Sequence, residues 1–291
     1  MLHALKKVIN KVGYFLLFSH LWLGLCAGIF TLGSFLLIQS TPDVTYILFT
    51  ITGTVCIYTI HRFYNFQLQR EGNSFIKKTG IAYNKVKSTL LILLIINGLI
   101  ASISFFTLHA NTQWILIGPI LISIVYVIPL FNNKRLKDFP LVKIFAIALS
   151  WTCITLVGPM SASPGWWEES GNWFLVAEHI LFLFAMAIPF DIRDEIIDSE
   201  MDIKTIPTII GINNSQYLGL FCLFGAAACL KSASDKLAIP GAIAESLILV
   251  YMILGFLIIQ SKKNHSELFY LLFLDGILFL YGGIIWINTV I

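Results

Sequence analysis

Long apolar runs, each broken by a brief polar stretch, fill almost the whole chain. They fall at about 14–38, 45–61, 88–108, 113–130, 140–160, 172–190, 215–231, 239–260 and 268–288. About 17–25 apolar residues is the length that crosses a bilayer as a helix. The pattern therefore predicts an all-α, polytopic integral membrane protein with nine transmembrane helices. Residues 1–12 read differently: Leu2, Leu5, Val8 and Ile9 are interleaved with Lys6, Lys7 and Lys11, a short amphipathic lead-in suited to the membrane surface. The run that follows, from about Tyr14 to Ile38, is too long for a signal-peptide core and reads as a retained first helix. Leu25 ahead of Cys26 is not the small residue a lipoprotein cleavage site would carry. The polar stretches after the second and sixth helices are the longest, about 20–25 residues each, and loops of that length usually carry function. No linker or low-complexity segment divides the chain, so residues 1–291 are read as one membrane domain.

Composition agrees: of 291 residues, 57% are hydrophobic and only 12% charged, with a mean hydropathy of +0.84. This excludes a soluble domain, and nothing points to a nucleic-acid partner. The five cysteines (Cys26, Cys56, Cys153, Cys222, Cys229) all lie in apolar runs without a CxxC spacing, which reads as small buried hydrophobes rather than disulfides or a zinc site. Charge placement orients the helices. With nine crossings, all but Lys231 and Lys236 of the 19 basic residues fall on one side. By the positive-inside rule that side is the cytoplasm, with the N-terminus inside and the C-terminus outside. Trp166 and Trp167, in the one outward loop of any length, suit an interfacial anchor. The lack of an added targeting segment favours a bacterial inner membrane.

Against this apolar background the sixth helix breaks into a run of acids. Asp191, Asp194, Glu195, Asp198, Glu200 and Asp202 make up six of the chain's 16 acidic residues. The aspartates recur at i, i+3, i+7 and i+11, which on a helix lines the carboxylates along one face. A comb of hard oxygen ligands suits Mg²⁺ shared with a phosphate or diphosphate, because that ion keeps several waters and takes only one or two carboxylates. A solvated acidic loop is the plainer reading, but the regular spacing and the intervening Ile192, Ile196 and Ile197 speak against it. Lys204 follows closely enough to reach a phosphate held there, or to serve simply as a membrane anchor.

Asp191-x-x-Asp194-x-x-x-Asp198, then Asp202, Lys204-Thr205-Ile206-Pro207 and Gly211, resembles the second aspartate-rich motif of the UbiA family of intramembrane prenyltransferases. Nine helices with motif loops after helices 2 and 6 are similar to that family too. The resemblance implies a UbiA-like bundle in which two such motifs grip an isoprenoid diphosphate through Mg²⁺. Metal and cations then assist loss of the diphosphate, and the prenyl group passes to a lipophilic acceptor in a chamber that excludes water. It implies Asp191, Asp194 and Asp198 as catalytic metal ligands, with Asp202 and Lys204 in support.

The first motif departs from the family. Where the family has Asn-Asp-x-x-Asp-x-x-x-Asp, the stretch from Tyr58 places His61 at the Asn, Arg62 and Asn65 at two Asp positions and Gln69 at the last. A register four residues later, from Asn65 to Asn73, fits the distance to Gly80 less well. No aspartate survives in either, and Glu71 is the only acid nearby. Arg62, Asn65 and Gln69 are expected to face the diphosphate, with Arg62 attracting phosphate where a metal ligand would stand. The consequence is one metal site replaced by arginine, a changed reaction, or lost activity. Tyr126-Val127-Ile128-Pro129 leading to Lys134, Arg135 and Lys137 resembles the family's Tyr-Ser-x-Pro with basic residues after helix 4. Arg135 and Lys143 are accordingly expected phosphate contacts, or else anchors. Glu178, His179 and Asp275 are expected near the outer ends of their helices, away from a cytoplasmic site. Terpene cyclisation on the same scaffold, a non-catalytic isoprenoid binder and a transporter remain as alternatives, the last without the paired broken helices that would support it.

Overall fold

The computed structural model describes residues 15–17, 19–69, 76–128, 136, 139, 141–200, 202–262 and 265–290, with backbone alone at 64–69, 76–86 and 127. The amphipathic lead-in 1–12 and Arg135 lie outside the described residues. Long helices follow one another as α1 (Leu21–Leu37), α2 (Val44–Gln69), α3 (Ile76–Thr107), α4 (Ala110–Val127), α5 (Val142–Met160), α6 (Ser170–Glu200), α7 (Ile212–Leu237), α8 (Gly241–Gln260) and α9 (Phe269–Val290). No strand occurs among the described residues. Seven of these helices are long and apolar enough to cross a membrane, while α1 and α4 are apolar but shorter. The nine expected crossings thus appear as seven full-length spans and two short apolar helices.

The boundaries moved where polar sequence stays helical. The second and sixth elements do not end at 61 and 190 but continue to Gln69 and Glu200, and the third begins at Ile76 rather than 88. Hydropathy registers only the part of a helix that lies in lipid, whereas a helix satisfies its backbone hydrogen bonds wherever it runs. Both motifs therefore sit on helices, not on the loops expected for them. The first helix starts at Leu21 instead of 14, because His20 takes a left-handed conformation (φ 61°) that interrupts it.

Burial is arranged for lipid. Ile92, Ile95, Leu99, Ile103 and Phe106 lie exposed along one stripe of α3, as do Tyr217, Phe221 and Phe224 on α7, spaced by three or four residues as one helix face requires. With apolar side chains already content in hydrocarbon, helices gain most from close approach at small residues. A Cβ on Gly33 of α1 would stand 2.7 Å from Gly282 Cα of α9, and Gly24 of α1 abuts the Ile51 carbonyl of α2. Phe30, Phe182 and Tyr281 fill the centre from α1, α6 and α9.

Helix α6 positions the acids. At 31 residues it is about 46 Å long, well beyond the ~30 Å hydrocarbon core. Asp191 comes about 32 Å from its start, where a membrane-spanning helix would be leaving the apolar layer.

Candidate functional site

The comb is built by the last turns of α6 and the first turn of α5. Asp191 and Asp198 are buried, 3% and 8% exposed, and Asp194 is half-buried. The helix then stops: Asp202 N–H donates to the Ser199 carbonyl and Ile203 N–H to that of Asp198, with Asp202 left-handed at φ 53°. This pair of bonds is the Schellman arrangement that closes a helix with a residue in the αL region. Asp202 is therefore the helix stop and is exposed, where the i+11 spacing counted it among the metal ligands of one continuous helix. The spacing assumed one more turn of helix than the chain makes.

The segment after the stop is stitched to α5. Leu141 N–H donates to the Lys204 carbonyl at 3.0 Å, so Lys204 contributes its backbone. Its side chain is exposed and makes no ion pair among the described residues. Two residues beyond Leu141, Lys143 projects into the comb. Its Nζ lies 2.8 Å from Asp191 Oδ1 and 3.6 Å from both Asp194 Oδ2 and Asp198 Oδ2. One ammonium thus balances three carboxylates that would otherwise repel one another at the membrane edge.

A second cation comes from inside the motif. Arg193 donates to Asp194 through Nε at 2.7 Å and Nη2 at 3.2 Å. Its guanidinium lies 5.4 Å from the Phe190 ring centre and 5.0 Å from that of Tyr270, close enough for cation–π attraction. Sequence reasoning passed over Arg193, although a lone basic residue within an acidic run was the available signal. Glu267, at the start of α9, is within electrostatic reach of both Arg193 and Arg62. The half-buried Arg62 is also in reach of His20. The neighbouring His61 ring is 6.1 Å from that of Tyr126 on α4, and Tyr126 in turn is near Lys143. The degenerate first motif and the comb thus border one mouth. Asn65 and Gln69 lie on α2, their side chains outside the description.

One expectation about the interior changes. Asp275 is not remote from the comb: it is buried at the end of the π-helical segment Phe269–Leu274, in electrostatic reach of Arg193. Glu178 and His179 form a separate buried network with Tyr251, Tyr281 and Ser34.

The donor set suits a hard divalent cation. Asp198 Oδ2 is buried with no hydrogen-bond donor, and only Lys143 approaches it. Among the described residues no three acid, histidine or cysteine side chains could hold a metal by themselves. An ion such as Mg²⁺ takes only one or two carboxylates and completes its octahedron with water and phosphate oxygens.

Comparison with known proteins gives one consistent answer. The sequence model of the UbiA prenyltransferase family matches residues 77–277, a match that begins beyond the degenerate first motif. No curated protein matches in sequence. Among solved structures, a UbiA homologue from Aeropyrum pernix K1 superposes with a TM-score of 0.69 at 15% identity, covering 91% of this chain and 98% of that one. A UbiA homologue from Archaeoglobus fulgidus, bound to GPP and Mg²⁺, gives 0.65 at 15% identity over 95% and 98%. A digeranylgeranylglyceryl phosphate synthase gives 0.58 at 13% identity over 97% and 99%.

Proposed function

The chain belongs to the UbiA prenyltransferase family, and from that premise we propose that it transfers a prenyl group from an isoprenoid diphosphate to a lipophilic acceptor within the membrane. The observation that carries this reading is Lys143 held between Asp191, Asp194 and Asp198. Such a cluster is a poor way to gain stability, since desolvating four charges costs about what their attraction returns. It is a good way to keep an anion and cation site organised until its ligands arrive.

In this reading Asp191, Asp194 and Asp198 would hold Mg²⁺, as the homologue bound to GPP and Mg²⁺ suggests by analogy. When bound, the ion neutralises charge on the diphosphate as it departs. The remaining work falls to the chain. Lys143 would be the residue to meet a phosphate oxygen beside these carboxylates, and Arg62 approaches from the wall where the family keeps aspartates. The apolar helices exclude water, which would otherwise capture the allylic cation. Asn65, Gln69 and Arg135 are the further proposed contacts, and Asp202 and Lys204 are withdrawn from the ligand set. The lysine and arginine distribution supports a mouth facing the cytoplasm, with the whole chain acting as one membrane domain.

A second reading has a specific observation behind it. All the first-motif aspartates are missing, which favours a binder of isoprenoid diphosphates that no longer turns them over. The test is binding of a non-hydrolysable prenyl diphosphate analogue to the purified protein, with and without Mg²⁺, for wild type and Asp194→Asn. Mg²⁺-dependent binding lost in the variant supports the site, and turnover in an acceptor screen then separates enzyme from binder. Absence of binding in the wild type would overturn both readings.

A further inference from the structure

Adjacent residues on a helix point about 100° apart, yet Arg193 turns back and grips the carboxylate of its neighbour Asp194 with both arms. Nε donates to Oδ1 at 2.7 Å and Nη2 to Oδ2 at 3.2 Å. The pair is partly exposed, 37% for the arginine side chain and 30% for the aspartate, and an ion pair so placed adds little to stability. The arginine is nevertheless held. Phe190 lies one turn earlier on the same face of α6, and Tyr270, 2% exposed, belongs to the π-helical segment that opens α9. The guanidinium carbon stands 5.4 Å from the first ring centre and 5.0 Å from the second, so the fork is anchored across two helices by cation–π attraction.

What the fork controls is the space between the two oxygens of Asp194. A carboxylate has about four lone-pair directions, two on each oxygen. A cation chelated by both oxygens uses the inner direction of each, and so does a guanidinium that bonds both at once. With Arg193 in place, Asp194 keeps only its outer directions for a metal and must bind through one oxygen. Asp194 is also the middle acid of the comb, three residues after Asp191 and four before Asp198. An ion shared with either neighbour therefore meets it.

This restriction separates cations by size. Mg²⁺ demands a tight octahedron at short distance and suits single carboxylate oxygens, whereas Ca²⁺ takes about six to eight oxygens and readily uses carboxylates bidentately. We propose that Arg193 is a positioning residue that sets the metal selectivity of the comb. It denies Ca²⁺ the chelating grip of Asp194 and leaves that carboxylate as a single-oxygen ligand for Mg²⁺. The inference rests on the reading of the comb as a divalent-cation site given above.

Calorimetric titration of the EDTA-stripped full chain in detergent tests it. Mg²⁺ and Ca²⁺ are titrated separately, each with and without a non-hydrolysable prenyl diphosphate analogue, and the ratio of the two dissociation constants is the readout. Wild type is expected to hold Mg²⁺ at least as tightly as Ca²⁺. Arg193→Lys keeps the charge but has no fork. It is expected to move the ratio about tenfold toward Ca²⁺, the lower end of what a hydrogen-bond partner of a metal ligand is worth. A purely structural role would weaken both ions alike, so an unaltered ratio in Arg193→Lys overturns the proposal. A wild type that prefers Ca²⁺ overturns it as well. If Arg193→Lys does not fold, Arg193→Met, which has no donor, is judged by the same ratio. Ions that bind with the expected ratios while the analogue does not bind would end the prenyl-transfer reading and leave the role of Arg193 standing. Failure of both ions to bind the wild type removes the metal site, and this proposal with it.

Discussion

Lys143 Nζ of α5 stands 2.8 Å from Asp191 Oδ1 of α6, and the same ammonium lies 3.6 Å from Asp194 and from Asp198. The lysine is only 15% exposed, so its removal leaves three partly buried carboxylates without their common cation. Losing one partner of a buried ion pair typically costs about 3–5 kcal/mol, and the half-buried Asp194 places this case toward the lower figure. Lys143→Met is expected to lower the melting temperature in EDTA by several degrees, and Mg²⁺ is expected to recover much of it. Thermal unfolding in detergent with and without the ion measures both. A variant as stable as wild type in EDTA would show that the cluster does not organise the site.

Arg62 replaces an acid of the family's first motif, and the sign of its charge is the testable part. Beside a diphosphate it offers a fork of donors that a neutral amide cannot match. Arg62→Gln is expected to weaken prenyl diphosphate analogue binding about tenfold at saturating Mg²⁺, the loss of one charge-assisted hydrogen bond. Equilibrium binding of the analogue gives the number. Tighter binding in Arg62→Gln would mean that the arginine opposes the ligand and blocks the site.

His20, immediately ahead of α1, predicts a pH effect. Its ring is 6% exposed, and Nδ1 is 3.5 Å from Thr59 Oγ1. Burial, then the nearby Arg62, then His61, push it from the ordinary 6.5 down to about 3. A histidine with a depressed folded value binds fewer protons folded than unfolded. Its contribution to stability is therefore present above about pH 6.5 and is lost as pH falls toward 3. Wild type is expected to lose melting temperature between about pH 7.5 and about pH 5 faster than His20→Gln. Parallel curves for the two proteins would sink this account.

The helices and the acidic comb were legible because their signals are periodic. Apolar runs announce spans, and acids at i, i+3 and i+7 announce one helix face. Asp202 misled because spacing does not reveal where a helix stops; its αL backbone is a property of the Schellman turn, not of the repeat. Lys143 was visible only as one cation among many. Its place between Asp191 and Asp198 depends on a backbone bond from Leu141 to Lys204, 63 positions apart in the chain, and no local pattern carries that. Asp275 was assigned to the wrong end although the run at 268–288, with the C-terminus outside, already places it two turns from the inner end.

The buried network around Glu178 gives a prediction about what holds the bundle together. Tyr251 and Tyr281 donate their hydroxyls to its two oxygens at 2.5 Å and 3.1 Å, His179 Nδ1 lies 2.5 Å from Oε2, and Ser34 meets the far side of the imidazole at 3.2 Å. An amide at this position would turn one acceptor into a donor facing donors. Glu178→Gln is expected to cost about 1–3 kcal/mol. In a double-mutant cycle with Tyr251→Phe, the second substitution is expected to cost less in the Gln background than in wild type. Fully additive effects would show that the tyrosine and the carboxylate do not depend on one another.

The tightest constraint is the crossing of α1 and α9. A Cβ on Gly282 would overlap the carbonyl of Ile29 and come within 2.9 Å of Phe30 Cα. Both are backbone atoms within a helix, so no side-chain rotation relieves the clash and α9 must shift bodily. Overpacking of this kind usually costs about 1–3 kcal/mol, and a backbone obstacle puts Gly282→Ala at the upper end or beyond. Tyr281 is the adjacent residue and Asp275 is two turns away on the same helix. The shift should therefore reach the Glu178 network and the α1–α9 seam together. Gly283→Ala is the control, because its added Cβ would meet only Phe279 at 3.9 Å. Gly282→Ala is expected to lower the melting temperature markedly and to loosen the region around Tyr281, read as faster hydrogen exchange in α9, while Gly283→Ala stays close to wild type. Equal behaviour of the two variants would mean that α1 and α9 are not held at the separation described.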